Sequence, residues 1–460
     1  MITIVGGIFI TTTLLALAFK RSALVWLLSA SVPFAATAAV TVGNNSFPPF
    51  YLIAAVVSAL AVGQVVQIRS LPRHPALAPL FLFSLWALVV TAIAAGYFQG
   101  ISVLVPRGGI DQQVSDPGTL TFSTSNIAQC LYLLLGLGVV VYLAQREHIS
   151  PHVLSAGFGI GSMLSSANLV IRDAWPGWLF DNYAGVSYWM TDYQGVIRHR
   201  GIFPEPSYLA VFSTPALVYS LILAVRGKGR DRLWYTILAA AVALNLTLSY
   251  SGTAIVGVLV MAGLAGSALC VRFIFFGAKV RPGAIIWSML GAAALTPLIP
   301  TVVRAVTDLV LNKQGSQSFA NRTTADLFSF QVLADTYGLG AGLGSNRPSS
   351  MLAMLISCVG LIGTVLFVLA VGLAIGRVAI HSEWTATAWA ALAVLVTKFV
   401  AEPALSTPLM WFTIGLCVYA GRKALYFSDV AVDSPNAQPQ NLTLPNQASS
   451  TDPGQAAFRA

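Results

Sequence analysis

The sequence predicts an all-α protein that crosses a lipid bilayer many times, and both its composition and its hydropathy pattern lead to that prediction. Of the 460 residues, 56% are hydrophobic and only 9% are charged, whereas an average soluble domain has roughly 25% charged residues. Apolar runs long enough to cross ~30 Å of hydrocarbon recur throughout residues 1–427. In hydrocarbon, each backbone N–H and C=O needs an internal partner, which a helix supplies within its own segment. We therefore expect a transmembrane helical domain over residues 1–427.

About thirteen apolar runs follow one another in this domain. The first run is not preceded by the basic residues of a secretion signal, so we expect it to be retained as a span. Short basic segments or longer polar loops separate the later runs and mark their ends. The predicted spans are residues 2–19, 23–42, 49–66, 77–97, 127–143, 153–171, 208–225, 233–249, 253–276, 284–303, 351–375, 384–400 and 409–426.

Lysine and arginine divide unequally between the two sets of alternating loops. One set holds fifteen of them in short connections, from Lys20 to Lys423, and the other holds eight in much longer loops. The positive-inside rule makes the first set cytoplasmic, which places the N-terminus in the periplasm and the C-terminus in the cytoplasm. Because these cations lie between apolar runs rather than on one face, we expect no nucleic-acid partner.

The sequence predicts neither a disulfide nor a bound metal. The cysteines Cys130, Cys270, Cys358 and Cys417 all fall inside apolar runs, without the spacing of a zinc site. Residues 428–460 are rich in Pro, Asn, Gln and Ser, which predicts a disordered cytoplasmic tail.

Two loops on the predicted outer side, residues 172–207 and 304–350, are far longer than connections in helical bundles usually are. Long loops of this kind often carry function. The first contains several aromatic residues, among them Trp189. Aromatic rings stack on sugars, and they also settle at the level of lipid headgroups, so both interpretations of Trp189 stay open.

Glu205 lies between Pro204 and Pro206 at the end of the first long loop. The two prolines restrict its backbone to an extended conformation, and Pro206 suits the first turn of the next helix. The carboxylate is thus held at a fixed place near the positive end of a helix. It could serve catalysis or substrate contact, or it could simply cap the helix.

Arg198 and Arg200 lie two residues apart, so in an extended segment both guanidinium groups point the same way. A pair of planar cations suits a diphosphate, and lipid headgroup binding is the alternative. His199 then points away from them, which favours a solvated or structural histidine.

The second long loop combines two arginines with alternate glycines. Arg322 comes first, followed by Gly340 and Gly342 within the run Gly338-Leu339-Gly340-Ala341-Gly342-Leu343-Gly344, and then by Arg347. Such glycines allow backbone N–H groups to converge on an oxyanion, or allow helices to pack closely. Arginines from both loops should together form an outer cavity that attracts polyanions such as lipid diphosphates.

The stretch from Arg198 to Ser207, opening a span, resembles the O-antigen polymerase and ligase superfamily of bacterial envelope proteins. The second loop is similar to the family's order of an arginine, a helix, a GxGxG turn and a glycine-containing helix. Further similarities are the turn at residues 248–253 and Glu402-Pro403 near Trp411. Lys398 forms an i,i+4 pair with Glu402 that we expect to be structural.

The resemblance implies a bacterial inner-membrane enzyme that transfers a glycan from undecaprenyl diphosphate without nucleotide, cofactor or metal. Glu205 would be the base, with Asp192 and Asp326 as substitutes, and Arg322 would stabilise the leaving diphosphate. Substrate would contact Arg198, Arg200, Arg347, Gly340, Gly342 and Trp189.

The acceptor distinguishes two activities within this resemblance. Polymerases extend another lipid-linked repeat unit, whereas ligases of the superfamily generally carry a histidine in the second outer loop, and residues 304–350 contain none. This favours an O-antigen or exopolysaccharide polymerase, with a chain-length regulator and a flippase as partners implied by the family. A ligase, or a transporter of lipid-linked sugar, is the alternative.

Overall fold

The computed structural model describes residues 1–43, 45–68, 72–105, 116–184, 186, 188, 192–193, 196–276, 317–378 and 383–433. The protein is mostly helical, as predicted, with very little sheet. The described helices, numbered here in chain order, are α1 Ile4–Phe19, α2 Ala23–Ser31, α3 Pro49–Ile68, α4 Leu77–Tyr97, α5 Thr124–Ala144, α6 Leu154–Ile171, α7 Gly177–Phe180, α8 Pro206–Arg226, α9 Gly229–Leu248, α10 Gly252–Phe276, α11 Gln317–Asp335, α12 Met351–Cys358, α13 Gly360–Val378, α14 Thr385–Val400 and α15 Pro408–Asp433.

Short antiparallel hairpins and 3₁₀ turns complete the described structure. The strands pair as β1 with β2, β3 with β4, and β5 with β6. The strands are β1 Val40–Val42, β2 Asn45–Phe47, β3 Ser102–Val103, β4 Gly118–Thr119, β5 Asp192–Tyr193 and β6 Val196–Ile197, and the 3₁₀ turns are Val32–Phe34 and Arg172–Ala174.

Seven helices of the described structure are long and apolar enough to cross a membrane, which indicates a multi-pass membrane protein. Large apolar side chains such as Ile93, Val225 and Val365 are exposed on their outer faces, as lipid contact requires. These segments are Pro49–Gln67, Leu77–Tyr97, Thr124–Ala144, Leu154–Ala174, Pro206–Arg226, Gly252–Phe275 and Gly360–Val378, with shorter apolar helices at Ile4–Phe19, Ala23–Phe34 and Thr385–Val400.

The loops fall into two groups at opposite ends of the bundle. At one end, named here the loop end, several described connecting segments approach one another, namely 32–43, 45–48, 98–105, 116–123, 172–184, 196–205, 249–251, 336–350 and 401–407. Hydrogen bonds join them, such as Thr37 to the Phe180 carbonyl at 3.1 Å and the Leu104 amide to Asn346 at 2.8 Å. At the other end, Arg422 donates to the Arg146 carbonyl at 3.0 Å.

Two predicted spans are interrupted in the structure, and the last one, 409–426, extends as helix to Asp433, into the predicted tail. The run 23–42 does not continue as a helix beyond Phe34, because its last residues form strand β1. The run 351–375 is broken into α12 and α13 at Gly360, whose φ is +67°. A Cβ at Gly360 would lie 2.2 Å from the Gly338 carbonyl oxygen, so only a glycine at this break leaves room for the backbone of Gly338. The predicted span 284–303 lies outside the described residues.

Helix α8, which carries Glu205 at its start, lies in the middle of this packing. It contacts α9, α10 and α14, while α15 packs on α5. The α5–α15 contact depends on Gly136, where a Cβ would lie 2.5 Å from the buried ring of Trp411. Close contacts of this kind fix the helix ends that present side chains to the loop end.

Candidate functional site

Glu205 is the N-cap residue of α8 and has the extended backbone predicted for it, with φ −147° and ψ 163°. Its side chain does not cap α8, because the Glu205 carboxylate makes no hydrogen bond to the first amides of that helix. It accepts a hydrogen bond from the Ser207 hydroxyl instead. The helix-cap alternative therefore does not explain this carboxylate.

Arg322, from the second long loop, faces Glu205 from the first. A guanidinium nitrogen of Arg322 lies 3.7 Å from a carboxylate oxygen of Glu205. The side chains retain 38% and 30% of their exposure, so solvent or substrate can reach both of them. Arg322 belongs to α11, a helix inside the predicted loop 304–350. The two long loops thus bring a carboxylate and a guanidinium cation together.

Arg347 and Tyr208 lie near this pair. Arg347 is exposed, and the Tyr208 hydroxyl lies within electrostatic range of Arg347, Glu205 and Glu402. Tyr208 stands in the first turn of α8, three residues after Glu205. Sequence reasoning did not single out Tyr208, because an aromatic residue at a helix start reads as an ordinary interfacial residue.

The backbone beside Arg347 is fixed by Asn346, a second residue that sequence reasoning missed. The buried Asn346 side chain donates to the hydroxyls of Ser329 at 3.1 Å and Ser357 at 2.9 Å, and accepts from the Leu104 amide. The Arg347 amide donates to the Leu104 carbonyl at 3.0 Å. This asparagine ties three segments together, and only their tertiary meeting reveals that role.

Gly340 and Gly342 form a close-packed turn rather than an anion cradle. Both have positive φ, and a Cβ would lie 2.6 Å from the Cys358 carbonyl oxygen at Gly340 and 2.9 Å from the Thr91 Cα at Gly342. The Gly340 amide donates to Thr336, and the Gly342 amide donates to the Cys358 carbonyl at 2.8 Å. Because both N–H groups are occupied, the packing alternative explains these glycines, and neither amide is free to bind an oxyanion.

Arg200 is held inside the protein, which corrects its prediction as a substrate-binding residue. One of its nitrogens donates to Asp181 at 3.0 Å, and another donates to the second oxygen of the same carboxylate. Arg200 also donates to the Phe203 carbonyl at 2.9 Å, and its guanidinium lies 5.4 Å from the Tyr188 ring centroid. The Arg200 and Asp181 side chains are only 10% and 19% exposed, so this bidentate ion pair holds two parts of the first loop together.

Arg198 and His199 have contacts different from those of Arg200. The Arg198 side chain donates to the Ser249 carbonyl at 3.2 Å, in the turn before α10. Arg198 and Arg200 therefore reach separate partners and do not form the predicted shared diphosphate fork. The buried His199 ring lies 3.1 Å from the Asn245 side-chain oxygen, and burial lowers the pKa of His199. His199 is structural, in agreement with the favoured interpretation.

The remaining predicted residues divide between structural roles and the undescribed part of the chain. Asp326 accepts hydrogen bonds from the amides of Ser349 at 2.8 Å and Ser350 at 3.1 Å, so it fixes the start of α12. Asp192 belongs to β5, and Trp189 lies outside the described residues.

Tyrosines connect the first loop to the bundle. The Tyr132 and Tyr183 hydroxyls lie 3.3 Å apart, and the Tyr132 and Tyr51 ring centroids 4.4 Å apart. The Tyr183 amide donates to the Tyr188 hydroxyl at 3.1 Å. Burial raises the pKa of Tyr183 and raises that of Tyr188 to about 12, so both stay neutral hydrogen-bonding groups at ordinary pH.

The predicted pair of Lys398 and Glu402 is present and buried. The lysine nitrogen lies 3.4 Å from the Glu402 carboxylate, with side-chain exposures of 0% and 9%. Thr407 donates to the other carboxylate oxygen at 2.6 Å and accepts from Lys398. Glu402 has a φ of +62°, a strained value for a residue with a side chain.

No family model and no curated protein matches this chain.

The described geometry offers a definite set of chemical groups. Glu205 can accept a proton, while Arg322 and Arg347 can bind an anion beside it. Arg322 and Arg347 are accessible, unlike Arg200. Arg322 lies 3.7 Å from Glu205, and Arg347 lies within electrostatic range of Tyr208 in the first turn of α8. An acid next to two cations at the end of an apolar bundle suits a substrate that has both a hydroxyl and a phosphate.

Proposed function

We propose that this protein is a metal-independent glycosyltransferase that polymerises oligosaccharide repeat units carried on a lipid diphosphate. The observation that carries the proposal is the accessible pair of Glu205 and Arg322, with Arg347 within electrostatic range of the neighbouring Tyr208. The motif resemblance to the O-antigen polymerase and ligase superfamily supplies the substrate class, namely glycans on undecaprenyl diphosphate.

The proposed reaction is a displacement at the anomeric carbon of the donor glycan. An acceptor hydroxyl attacks that carbon and gives its proton to Glu205, while the bond to the lipid diphosphate breaks and the diphosphate leaves with the electron pair. Arg322 and Arg347 would neutralise the charge that develops on the leaving oxygens. The products are a longer glycan on the acceptor lipid, free lipid diphosphate and a proton on Glu205.

The proposed location is the bacterial inner membrane, with the loop end facing the periplasm. The positive-inside rule supports this orientation, in which about thirteen spans place the N-terminus outside and the C-terminal tail in the cytoplasm. A flippase that delivers the lipid-linked units and a chain-length regulator are the proposed partners. O-antigen ligase activity on another acceptor would use the same groups.

The deciding experiment uses the purified protein in detergent with lipid-diphosphate-linked repeat units isolated from the producing cell. Products are resolved on a gel. We expect a ladder of longer glycans for the wild type, and at least about a hundredfold slower extension for Glu205→Gln, because a general base typically contributes this much. Arg322→Gln should also slow extension about a hundredfold, since a lost charge-stabilising donor has a comparable effect.

Matched substitutions separate chemistry from folding. Glu383→Gln and Arg172→Gln change exposed residues of the same types and should leave the ladder unchanged. Folding of each variant is checked by gel filtration. Unchanged lipid with folded wild-type protein would rule out the transferase, and a single transfer to a different acceptor would favour the ligase. A carrier would keep its activity when Glu205→Gln is made.

A further inference from the structure

Asp326 follows Arg322 by one helical turn, on the same face of α11. One oxygen of its carboxylate accepts hydrogen bonds from two backbone amides at the start of α12, that of Ser349 at 2.8 Å and that of Ser350 at 3.1 Å. The Ser349 hydroxyl also donates to the Arg322 backbone carbonyl at 3.2 Å. The segment before α12 is therefore bonded to α11 at the turn that carries Arg322.

The same face of α11 is bonded again one turn further along. Ser329 lies three residues after Asp326, and its buried hydroxyl accepts a hydrogen bond from the Asn346 side chain at 3.1 Å. Asn346 in turn accepts a hydrogen bond from the Leu104 amide at 2.8 Å. Residues 346–350 thus run along α11 and connect it to a separate segment of the loop end.

Apolar contacts and hydrogen bonds hold α11 in different ways. The side chains of Ala325 and Val332 are fully buried, so they keep α11 against the bundle. Apolar burial depends on area rather than direction, whereas a hydrogen bond requires a donor and an acceptor in one geometry. The hydrogen bonds to Asp326 therefore set the rotation of α11 about its own axis, which decides where the Arg322 side chain points.

The pair of Arg322 and Glu205 needs this support. The two side chains lie 3.7 Å apart and are about one-third exposed, so the pair contributes too little to hold α11 in place by itself. Asp326 is already bonded to backbone amides, so it acts on the site through Arg322 rather than by taking a proton from substrate.

We propose that Asp326 is a positioning residue that holds α11 in the rotation at which Arg322 faces Glu205. This inference rests on the proposed function, because it assigns Asp326 to the ordering of a diphosphate-binding arginine instead of the role of a substitute base. The two roles make different demands on the side chain. Positioning needs only an oxygen that accepts hydrogen bonds, whereas a base needs an ionised carboxylate.

Two substitutions of Asp326 distinguish these roles. Asp326→Asn keeps a side-chain oxygen where both amides donate, and Asp326→Ala removes it. The probe is farnesyl diphosphate, and its dissociation constant is measured by microscale thermophoresis with the full chain in detergent. Asp326→Ala should weaken binding at least about fivefold, as expected when hydrogen bonds to a charged acceptor are lost. Asp326→Asn should stay within about twofold of the wild type, because the acceptor remains.

A double-mutant cycle shows whether Asp326 acts through Arg322. Asp326→Ala should weaken binding in the wild-type background and add nothing in the Arg322→Gln background. Ser349→Ala is a milder second variant, because it removes only the hydroxyl that donates to the Arg322 carbonyl, and it should weaken binding about two- to threefold. Asp335→Ala changes an exposed acidic residue at the end of α11, and this matched control should bind the probe as the wild type does.

The inference is overturned if Asp326→Ala binds the probe normally, or if Asp326→Asn loses as much affinity as Asp326→Ala. An effect of Asp326→Ala that is the same with and without Arg322 would also overturn it. Should Asp326→Ala not fold, Ser349→Ala replaces it in the cycle, and its effect must disappear in the Arg322→Gln background.

The same variants separate the inference from the proposed function. Wild-type protein that shows this coupling but extends no glycan would leave the positioning role standing and remove the transferase. A glycan ladder that Arg322→Gln slows and Asp326→Ala does not would do the reverse. If the wild type extends glycans without binding the probe, the extension rate replaces the dissociation constant in the same cycle. Wild-type protein that neither binds the probe nor extends glycans would overturn both.

Discussion

Arg200 and Arg322 are both predicted from the sequence to bind or stabilise the diphosphate, and the structure separates them by their surroundings. Changing each to glutamine should therefore produce opposite phenotypes. Arg200→Gln removes the two hydrogen bonds to Asp181 and the one to the Phe203 carbonyl. It leaves Asp181, only 19% exposed, without its cation.

The expected loss of unfolding free energy for Arg200→Gln is about 3 kcal/mol, at the lower end for a broken buried pair because Asp181 retains some solvent contact. That loss corresponds to a lower Tm on the order of 5 °C for a chain of this size. The Arg322 and Glu205 side chains lie 3.7 Å apart and are about one-third exposed to solvent, so Arg322→Gln should change stability by less than about 1 kcal/mol.

The assay combines thermal unfolding in detergent, followed by tryptophan fluorescence, with glycan extension at a temperature where every variant is folded. Arg200→Gln should unfold early but keep most of its activity while folded, whereas Arg322→Gln should keep the wild-type Tm and lose activity. Arg172→Gln, an exposed arginine of the same loop, serves as the control. A wild-type Tm for Arg200→Gln, or equal destabilisation by both changes, would refute the reasoning.

Three further outcomes follow from the packing. Gly340→Ala should lower the Tm because the new Cβ meets backbone at a positive φ, whereas Gly372→Ala enters open space and should not, as thermal unfolding of both variants will show. Burial and a neighbouring arginine lower the pKa of His74 to about 4, so the stability present above pH 6.5 should decline as the pH falls toward 4. His74→Asn should make the Tm less dependent on pH in this range, and an unchanged pH dependence would disprove the role of His74. Lys398→Met should cost about 3 kcal/mol or more by leaving Glu402 unpaired, and adding Glu402→Gln should recover part of that loss in the same unfolding assay.

The helical fold could be predicted because hydrocarbon imposes a single rule on every segment. Any long apolar run must pair its own backbone groups, so composition and run length suffice to find the helices. The breaks were harder to find. The apolar run 351–375 does not indicate that the backbone of Gly360 is left-handed. The helix breaks there because the Gly338 carbonyl, from another segment, packs against Gly360.

Features of the candidate site that neighbouring residues fix could be predicted from the sequence. Contacts between distant segments could not. Pro204 and Pro206 fix the Glu205 backbone locally, and the structure has that conformation. The sequence gives no reason to treat Arg200 and Arg322 differently. In the folded protein Asp181 pairs with Arg200, whereas Arg322 stays accessible beside Glu205.

The apolar helical nature of this protein and the extended backbone at Glu205 follow from the amino-acid sequence alone, because both depend on properties of contiguous residues. Only the tertiary structure places Arg322 beside Glu205, pairs Arg200 with Asp181 and occupies the glycine amides with internal hydrogen bonds. A side chain's partner depends on which segments meet in space, and pairing of this kind leaves no periodicity along the chain.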